Sequence, residues 1–416
     1  MKHLPKFTMG VGDRFGHQCA AQLRALLRAG TELGTEVAPV WNKSNREHQI
    51  IGTRPADARA AADRAVALLG YKGAYFLDAD HIGLKNVDLF LEPCDFFTLD
   101  VADFVGQPAP EAEIEAFVAR HSELVGEHKL PVVGRSLVIS TDDLTAAARA
   151  YLAAVRQAGE IYRYIAARKG SGNFITEVSM DETDKPQTPA ELLVILVAIA
   201  EEKIPAQTIA PKFTGRFNKG VYYVGDVATF NREFEDDLAV IRWAVENLEL
   251  PDDLKISVHS GSDKFSIYPG IGAALSRFGA GIHIKTAGTT WLEEVTGLAL
   301  AGGSGLELAK EIAVTALPRM AELCAPYATV IDIDATQLPT AEEINGWSSE
   351  EYANALRHEQ ECPGYNPHFR QLIHVSFRVA AEMGERYRAA LREFEPVIAK
   401  EVEGNLFERH LKRLLG

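Results

Sequence analysis

Short runs of apolar and β-branched residues recur along the chain as far as residue 300. Between most of them lies a longer stretch with apolar positions at helical spacing. The runs fall at 6–11, 37–41, 74–79, 96–101, 174–178, 207–213, 255–259 and 281–285, and the helical stretches include 20–29, 56–69, 189–202, 231–247, 268–278 and 291–300. Strands that alternate with helices belong to βαβ units, because parallel strands need a crossover and the helix supplies it. Eight such units are what a closed barrel requires. Two further helical segments, 109–125 and 142–169, stand between the fourth and fifth strands, and beyond residue 305 the pattern is almost wholly helical. The expected fold class is therefore α/β: a TIM-like (β/α)8 barrel over residues 1–304 with an inserted helical segment. A C-terminal helical extension, 305–416, packs on the barrel or caps its mouth.

The balance of the 416 residues, 47% hydrophobic and 24% charged, is that of a folded globular chain. A net charge of −15 argues against nucleic acid as a partner, although a few cations focused in one cleft can still hold a small anion. The longest apolar run, 192–200, is about half of a membrane span, and no secretory leader precedes the first strand. Four scattered cysteines suggest neither a disulfide framework nor a thiolate zinc site. These features predict a cytoplasmic protein acting on a small molecule, with the helical tail offering surface for self-association.

Polar residues are sorted toward one end of every strand. Asp13 and Arg14 follow the first; Asn42 and Lys43 end the second; Asp78, Asp80 and His81 end the third; Thr98 and Asp100 end the fourth. Glu177 and the acidic run Asp181 to Asp184 follow the fifth, Lys212 and Arg216 the sixth, His259 to Lys264 the seventh, and His283 and Lys285 end the eighth. Because active sites of parallel barrels lie at the C-terminal strand ends, this asymmetry predicts an enzyme and locates its mouth. Period-2 alternation puts Asp78 with Asp80, and His283 with Lys285, on inward faces. His259 and His283, from adjacent strands, are candidate ligands for one divalent cation, with His81 as a third; each is otherwise a substrate contact. Zinc, manganese, cobalt and nickel all suit such donors. Asp78 is equally readable as the partner of a lysine in the barrel wall, and Asp181 to Asp184 as a solvated loop. His17, His48, His358, His368 and His374, away from strand ends, read as surface or packing residues.

The segments KFTMGVGDRFGHQ, FLDADHIGLKNVDLF, DFFTLDVADFVG, ITEVSMDETD, APKFTGRFNKGVYYVGD, VHSGSDKFSIYPGIG, HIKTAGTTWLE and YNPHFRQLIHVSFRVAAEMG together resemble the tagaturonate epimerase family over nearly the whole chain. The resemblance implies interconversion of D-tagaturonate and D-fructuronate, or of the matching ketoses tagatose and fructose, with a divalent metal. By motif position it puts an acid–base pair on Asp80 and Glu177 and metal ligands on His81, His259 and His283. The two sugar acids differ at the carbon β to the ketone, where direct deprotonation yields a carbanion the carbonyl cannot stabilise. A retro-aldol cleavage and re-addition avoids this, with Asp80 as base and Glu177 as acid. Lys212, Arg216, Lys264 and Lys285 are candidate anchors for the substrate carboxylate, joined by Ser260 and Asp263. A Schiff base on Lys212 or Lys285 is the mechanistic rival. The alternatives to an epimerase are a metal-dependent ketose aldolase or isomerase on the same barrel, or an inactive sugar-binding barrel.

Overall fold

The computed structural model describes residues 2–107, 109–183, 185–286, 288–359 and 361–416. Among the described residues ten strands form two sheets: β1 (Phe7–Gly12), β2 (Ala38–Ser44), β3 (Phe76–Ile82), β4 (Phe96–Asp100), β5 (Gly126–Lys129), β6 (Ser136–Ile139), β7 (Ile175–Ser179), β8 (Thr208–Ala210), β9 (Lys255–Val258) and β10 (Ile282–Lys285). Eight of them close a parallel barrel in the order β1, β10, β9, β8, β7, β4, β3, β2, so the (β/α)8 expectation holds. The other two, β5 and β6, pair as an antiparallel hairpin.

Alternation sorts the barrel into an outer apolar shell and a layered interior. Ile256, Val258, Ile282 and Ile284 point outward into the main core beneath the helices. Inside, Leu4, Val40, Phe76, Phe96 and Ile175 form a separate apolar plug at the bottom. Above the plug the interior turns polar, with Thr8 in register with His283, and His283 with Ser257. Higher still, Thr98 stands in register with Glu177 and Glu177 with Thr208. Gly10 lies opposite Lys285; a Cβ there would come within 2.8 Å of Lys285 Cγ, so glycine leaves the room that the lysine stem needs to cross the barrel.

Two elements differ from the periodicity reading. The insertion is helical at Glu111–Arg120 and Thr141–Lys169, but the hairpin separates the two helices. Its strands are four residues long and mostly exposed, so they carry no one-sided apolar alternation. A seven-residue helix, Asn45–Ile51, follows β2 directly, nucleated by a reciprocal cap between Ser44 and Glu47 rather than by an apolar stripe.

The chain after β10 both packs on the barrel and lines its mouth. Helix Glu395–Gly404 lies against Thr289–Ala301 so closely that a Cβ on Gly297 would sit 2.6 Å from Ile398 Cα. A buried polar clamp ties this region to the loop after β9. Arg370 donates to Asp263 at 3.2 Å, to the Gly220 carbonyl at 2.6 Å and to the Leu356 carbonyl at 2.7 Å. A wide turn of π type, Asn405–Leu411, carries His410 inward to accept from the Asp263 amide at 3.1 Å. No helix among the described residues is long and apolar enough to cross a membrane.

Removing one partner of a buried ion pair leaves the other charge uncompensated. Arg370→Ala is expected to lower stability by about 3–5 kcal/mol in urea unfolding, whereas Arg216→Ala, at an exposed pair with Asp332, changes it by less than about 1 kcal/mol.

Candidate active site

Lys285 rises from the end of β10 into the centre of the mouth. Its ammonium contacts Asp78 Oδ2 at 2.8 Å, Asp80 Oδ1 at 2.9 Å and Glu177 Oε1 at 2.9 Å, and donates to Thr98 Oγ1 at 2.6 Å. Asp78 thus has the lysine partner that its wall position suggested. Burial would discharge the ammonium, but the three carboxylates outweigh it and hold Lys285 well above the usual lysine range. Asp78 is pushed up to about 7 by its burial, aided by the charges of Asp80 and Glu177. For Asp80, burial is overcome by Lys285 and His81, which keep its carboxyl ionised far below the usual range.

Above this floor three donor groups converge. One atom each of His81, Asp181 and His259 can be chosen so that all lie within 4.8 Å of one another. Nitrogen and oxygen ligands sit about 2.0–2.2 Å from an ion such as zinc, so donors on opposite sides of one ion are about 4 Å apart and the set fits. Each imidazole is oriented by a carboxylate. His259 Nε2 meets Glu177 Oε1 at 2.7 Å while Nδ1 lies 2.9 Å from Asp181 Oδ1. His81 Nδ1 lies 3.3 Å from Asp100 Oδ2, and the two rings stand edge to face at 5.1 Å. Burial opposes charge on His81, but Asp80, Asp100 and Asp181 push it up to about 10. His259 is raised as well, against its burial, chiefly by Asp181.

His81 reaches this position through its backbone. The β3 register shifts between Ala79 and Ile82, and His81 adopts a left-handed φ of 53°. Simple alternation would turn its ring away from Asp80; the bulge removes that constraint.

The cleft over these groups is a cavity of about 360 Å³, lined by Asp80, His81, Asp100, Asp181, His259 and Lys285. Its lining also includes Arg14, Arg46, Lys219 and His374, together with Pro326, Tyr327, Thr329 and Val330 from the chain after β10. Ser260 lines the cleft, with φ of 49°, and accepts from Lys219 at 2.7 Å. Lys212 and Arg216 border an adjoining cavity of about 280 Å³, where Lys212 donates to the Thr183 carbonyl and Arg216 pairs with Asp332 at 3.0 Å.

Other expected residues are drawn elsewhere. His283 is fully buried one layer below, 2.8 Å from Thr8 Oγ1 and with its ring 5.3 Å from that of Phe96 in the apolar plug. Burial pushes its pKa down to about 3, and it stands outside the converging group. Glu177 has no exposed surface, and both of its oxygens are engaged, Oε2 by Thr208 at 2.7 Å. Asp263 faces the Arg370 clamp, and Lys264 donates to the carbonyls of Asn218, Val221 and Ser262. Both are away from the cleft because φ is positive at Ser260 and again at Asp263, which turns the loop inward under the tail.

Three contributors escape the strand-end rule. Asp181 belongs to an acidic run that reads as solvated loop, yet it points at His259; Asp184 of the same run lies outside the described residues. Lys219 sits well beyond β8. His374, expected as a surface or packing residue, is buried and lines the cleft. For His374 the only sequence signal is its segment's likeness to the family.

The profile of the tagaturonate epimerase family, UxaE, matches residues 2–414. A tagaturonate/fructuronate epimerase of Thermotoga maritima is 28% identical over 98% of this chain and 81% of its own length. Among solved structures, a glycerol complex of the fructuronate-tagaturonate epimerase of Cohnella laeviribosi superposes with a TM-score of 0.82 at 23% identity, covering 99% of this chain and 82% of that one. The native form of the same protein gives 0.80. The match runs the length of both barrel and tail, and the chain belongs to the tagaturonate epimerase family, enzymes of the isomerase class.

Proposed function

We propose that the chain interconverts D-tagaturonate and D-fructuronate at a divalent metal held by His81, Asp181 and His259, by cleavage and re-formation of one carbon–carbon bond. The observation that carries this reading is the convergence of those three donors beside Asp80 and Lys285. The names of the Thermotoga and Cohnella relatives support the substrate pair. His283, expected as the third ligand, is replaced by Asp181 in this proposal because its imidazole lies a layer deeper. Zinc, manganese, cobalt and nickel all remain compatible with the mixed donor set.

Bound there, the ion would supply Lewis acidity that makes the hydroxyl and ketone oxygens of the substrate easier to ionise. Asp80 lines the cleft as a carboxylate beside the three donors, and in this reading it accepts the proton from the β-carbon hydroxyl. The O–H electrons form an aldehyde, the bond between the α and β carbons breaks, and its electron pair passes to the ketone oxygen as an enediolate. Rotation of the aldehyde presents its other face; the α carbon adds back, and the new alkoxide takes up a proton. Lys285, charged and on the cleft floor, is the group that supplies it, and the proton held by Asp80, 2.9 Å away, then passes to the amine and restores both groups. Glu177, expected to donate directly, works here through its neighbours: it orients His259 and keeps Lys285 protonated. A Schiff base on Lys285 is disfavoured because an ammonium gripped by three carboxylates has no free electron pair.

Stripping divalent ions with a chelator should abolish epimerisation, and restoring them should recover it; full activity in demonstrably metal-free protein would refute the reading. His259→Ala is expected to lose both bound metal and turnover, and full metal occupancy in that variant would remove it from the ligands. Asp80→Asn should lower kcat by about 10²–10⁴-fold with metal retained. Borohydride with substrate should trap no adduct. Lys285→Met leaves three buried carboxyls without their cation, so their folded pKa values rise above the unfolded ones. The sign follows: protonation on folding stabilises the variant at low pH, and it should lose stability as pH rises from about 4 to 8, unlike the parent, in thermal melts.

A further inference from the structure

The cleft is lined by groups of both charges: Asp80, Asp100 and Asp181 around the two imidazoles, and the cations Arg14 and Lys219 with the imidazole of His374, Glu47 lying against Arg14. Most cations near the mouth are already engaged. Lys285 is neutralised from three sides, Arg14 Nε is bound to Glu47 at 2.9 Å, and Arg216 to Asp332. Lys212 is held by a carbonyl, and Lys264 is buried away from the cleft. Arg46 is exposed at the rim, over the Tyr327 ring. Lys219 differs. It lines the cleft, has no carboxylate partner among the described residues, and donates to Ser260 Oγ alone, leaving two of its three donors unused.

Beside it stands a second unsatisfied group. His374 is 2% exposed, and neither ring nitrogen has a hydrogen-bond partner among the described residues. A buried polar group in that condition is costly unless a ligand or water completes it. Its ring is held between two glycines: a Cβ on Gly220 would come within 3.5 Å of His374 Cδ2, and one on Gly288 within 2.3 Å of His374 Nε2 and 3.1 Å of Arg14 Nη2. Gly288, with φ of 89°, therefore keeps open the point where the imidazole and the guanidinium approach each other. Burial, with the nearby charges of Arg14 and Lys219, keeps this imidazole neutral, so one nitrogen remains a donor and the other an acceptor.

We infer that Lys219, with His374 and Arg14 beside it, is the seat of the substrate's carboxylate, and that Lys219 is the residue by which the enzyme distinguishes a keto sugar acid from the neutral ketose. The inference rests on the proposed reaction for its substrate. With the carboxylate at Lys219, whose ammonium is tied to Ser260 next to His259, the rest of the substrate occupies the cleft that Asp80 and the imidazole pair also line. The ketose matching each acid lacks the anion, leaves the ammonium unpaired and binds with fewer contacts.

The test compares the parent with Lys219→Met, which keeps an unbranched apolar stem, Lys219→Gln, and Lys219→Arg, which keeps the charge. In steady-state kinetics, Lys219→Met should raise KM for tagaturonate by about tenfold or more, with kcat little changed and KM for tagatose unaffected. Lys219→Arg should recover part of the loss. Calorimetry on metal-stripped protein, where an ion cannot attract the anion, gives a reading that needs no turnover. Gluconate should bind the parent at least about tenfold more tightly than glucitol, and the Met and Gln variants should lose that preference. Equal effects on acid and ketose, or a gluconate preference that survives in either folded variant, would overturn the inference and leave the epimerase reading standing. A gluconate preference that depends on Lys219 in a protein that epimerises no hexuronate would do the reverse.

Discussion

One positive charge on the axis of the barrel organises the site. Three carboxyl groups, two on β3 and one on β7, are too many for a dry interior, and Lys285 makes their coexistence feasible. Thr98 knits the same cluster from the side, its single O–H placed between Asp78 and Glu177 while its oxygen accepts from Lys285. The consequences spread outward by contact. Lys285 keeps Asp80 ionised at the cleft surface, and it fixes the Glu177 oxygen that in turn meets His259. Even the absence of a side chain at Gly10 belongs to this arrangement, since the lysine stem passes where that side chain would be.

Much of this was legible because barrels impose direction. Strand interiors had to be apolar on the helix side, and polar side chains had to collect at one end, so β3, β7, β9 and β10 announced Asp80, Glu177, His259 and Lys285. Alternation fixed the face of a residue but not its depth. His283 shares the inward face of Lys285, yet two residues along a strand amount to about 6.6 Å, enough to move an imidazole from the mouth to the plug. Loops were less legible still. Positive φ at Ser260 and Asp263 redirects HSGSDK so that neighbours in sequence serve different ends: His259 faces Asp181 and Glu177, Asp263 the buried clamp. His81 shows the same effect within a strand, where one bulge overrides period-2 logic.

What sequence periodicity could not reach was convergence between distant segments. His374 lies on a nine-residue helix, Pro367–Val375, whose pattern gives no hint that one of its rings borders a cleft at the far end of eight strands. The helix is positioned by Arg370, one turn earlier, which binds the loops after β8 and β9 at once. Packing of this sort depends on three-dimensional neighbours that a single chain does not spell out.

The clamp also has a bearing on inheritance. Because Arg370 grips both Gly220 and Asp263, the tail that walls the cleft is registered against the two loops that carry Lys219 and His259. Drift in the tail would thus retune what enters the cleft before it disturbed the carboxylate-and-lysine floor. The helical tail and the barrel loops that face it are written in separate stretches of the gene, joined at one guanidinium.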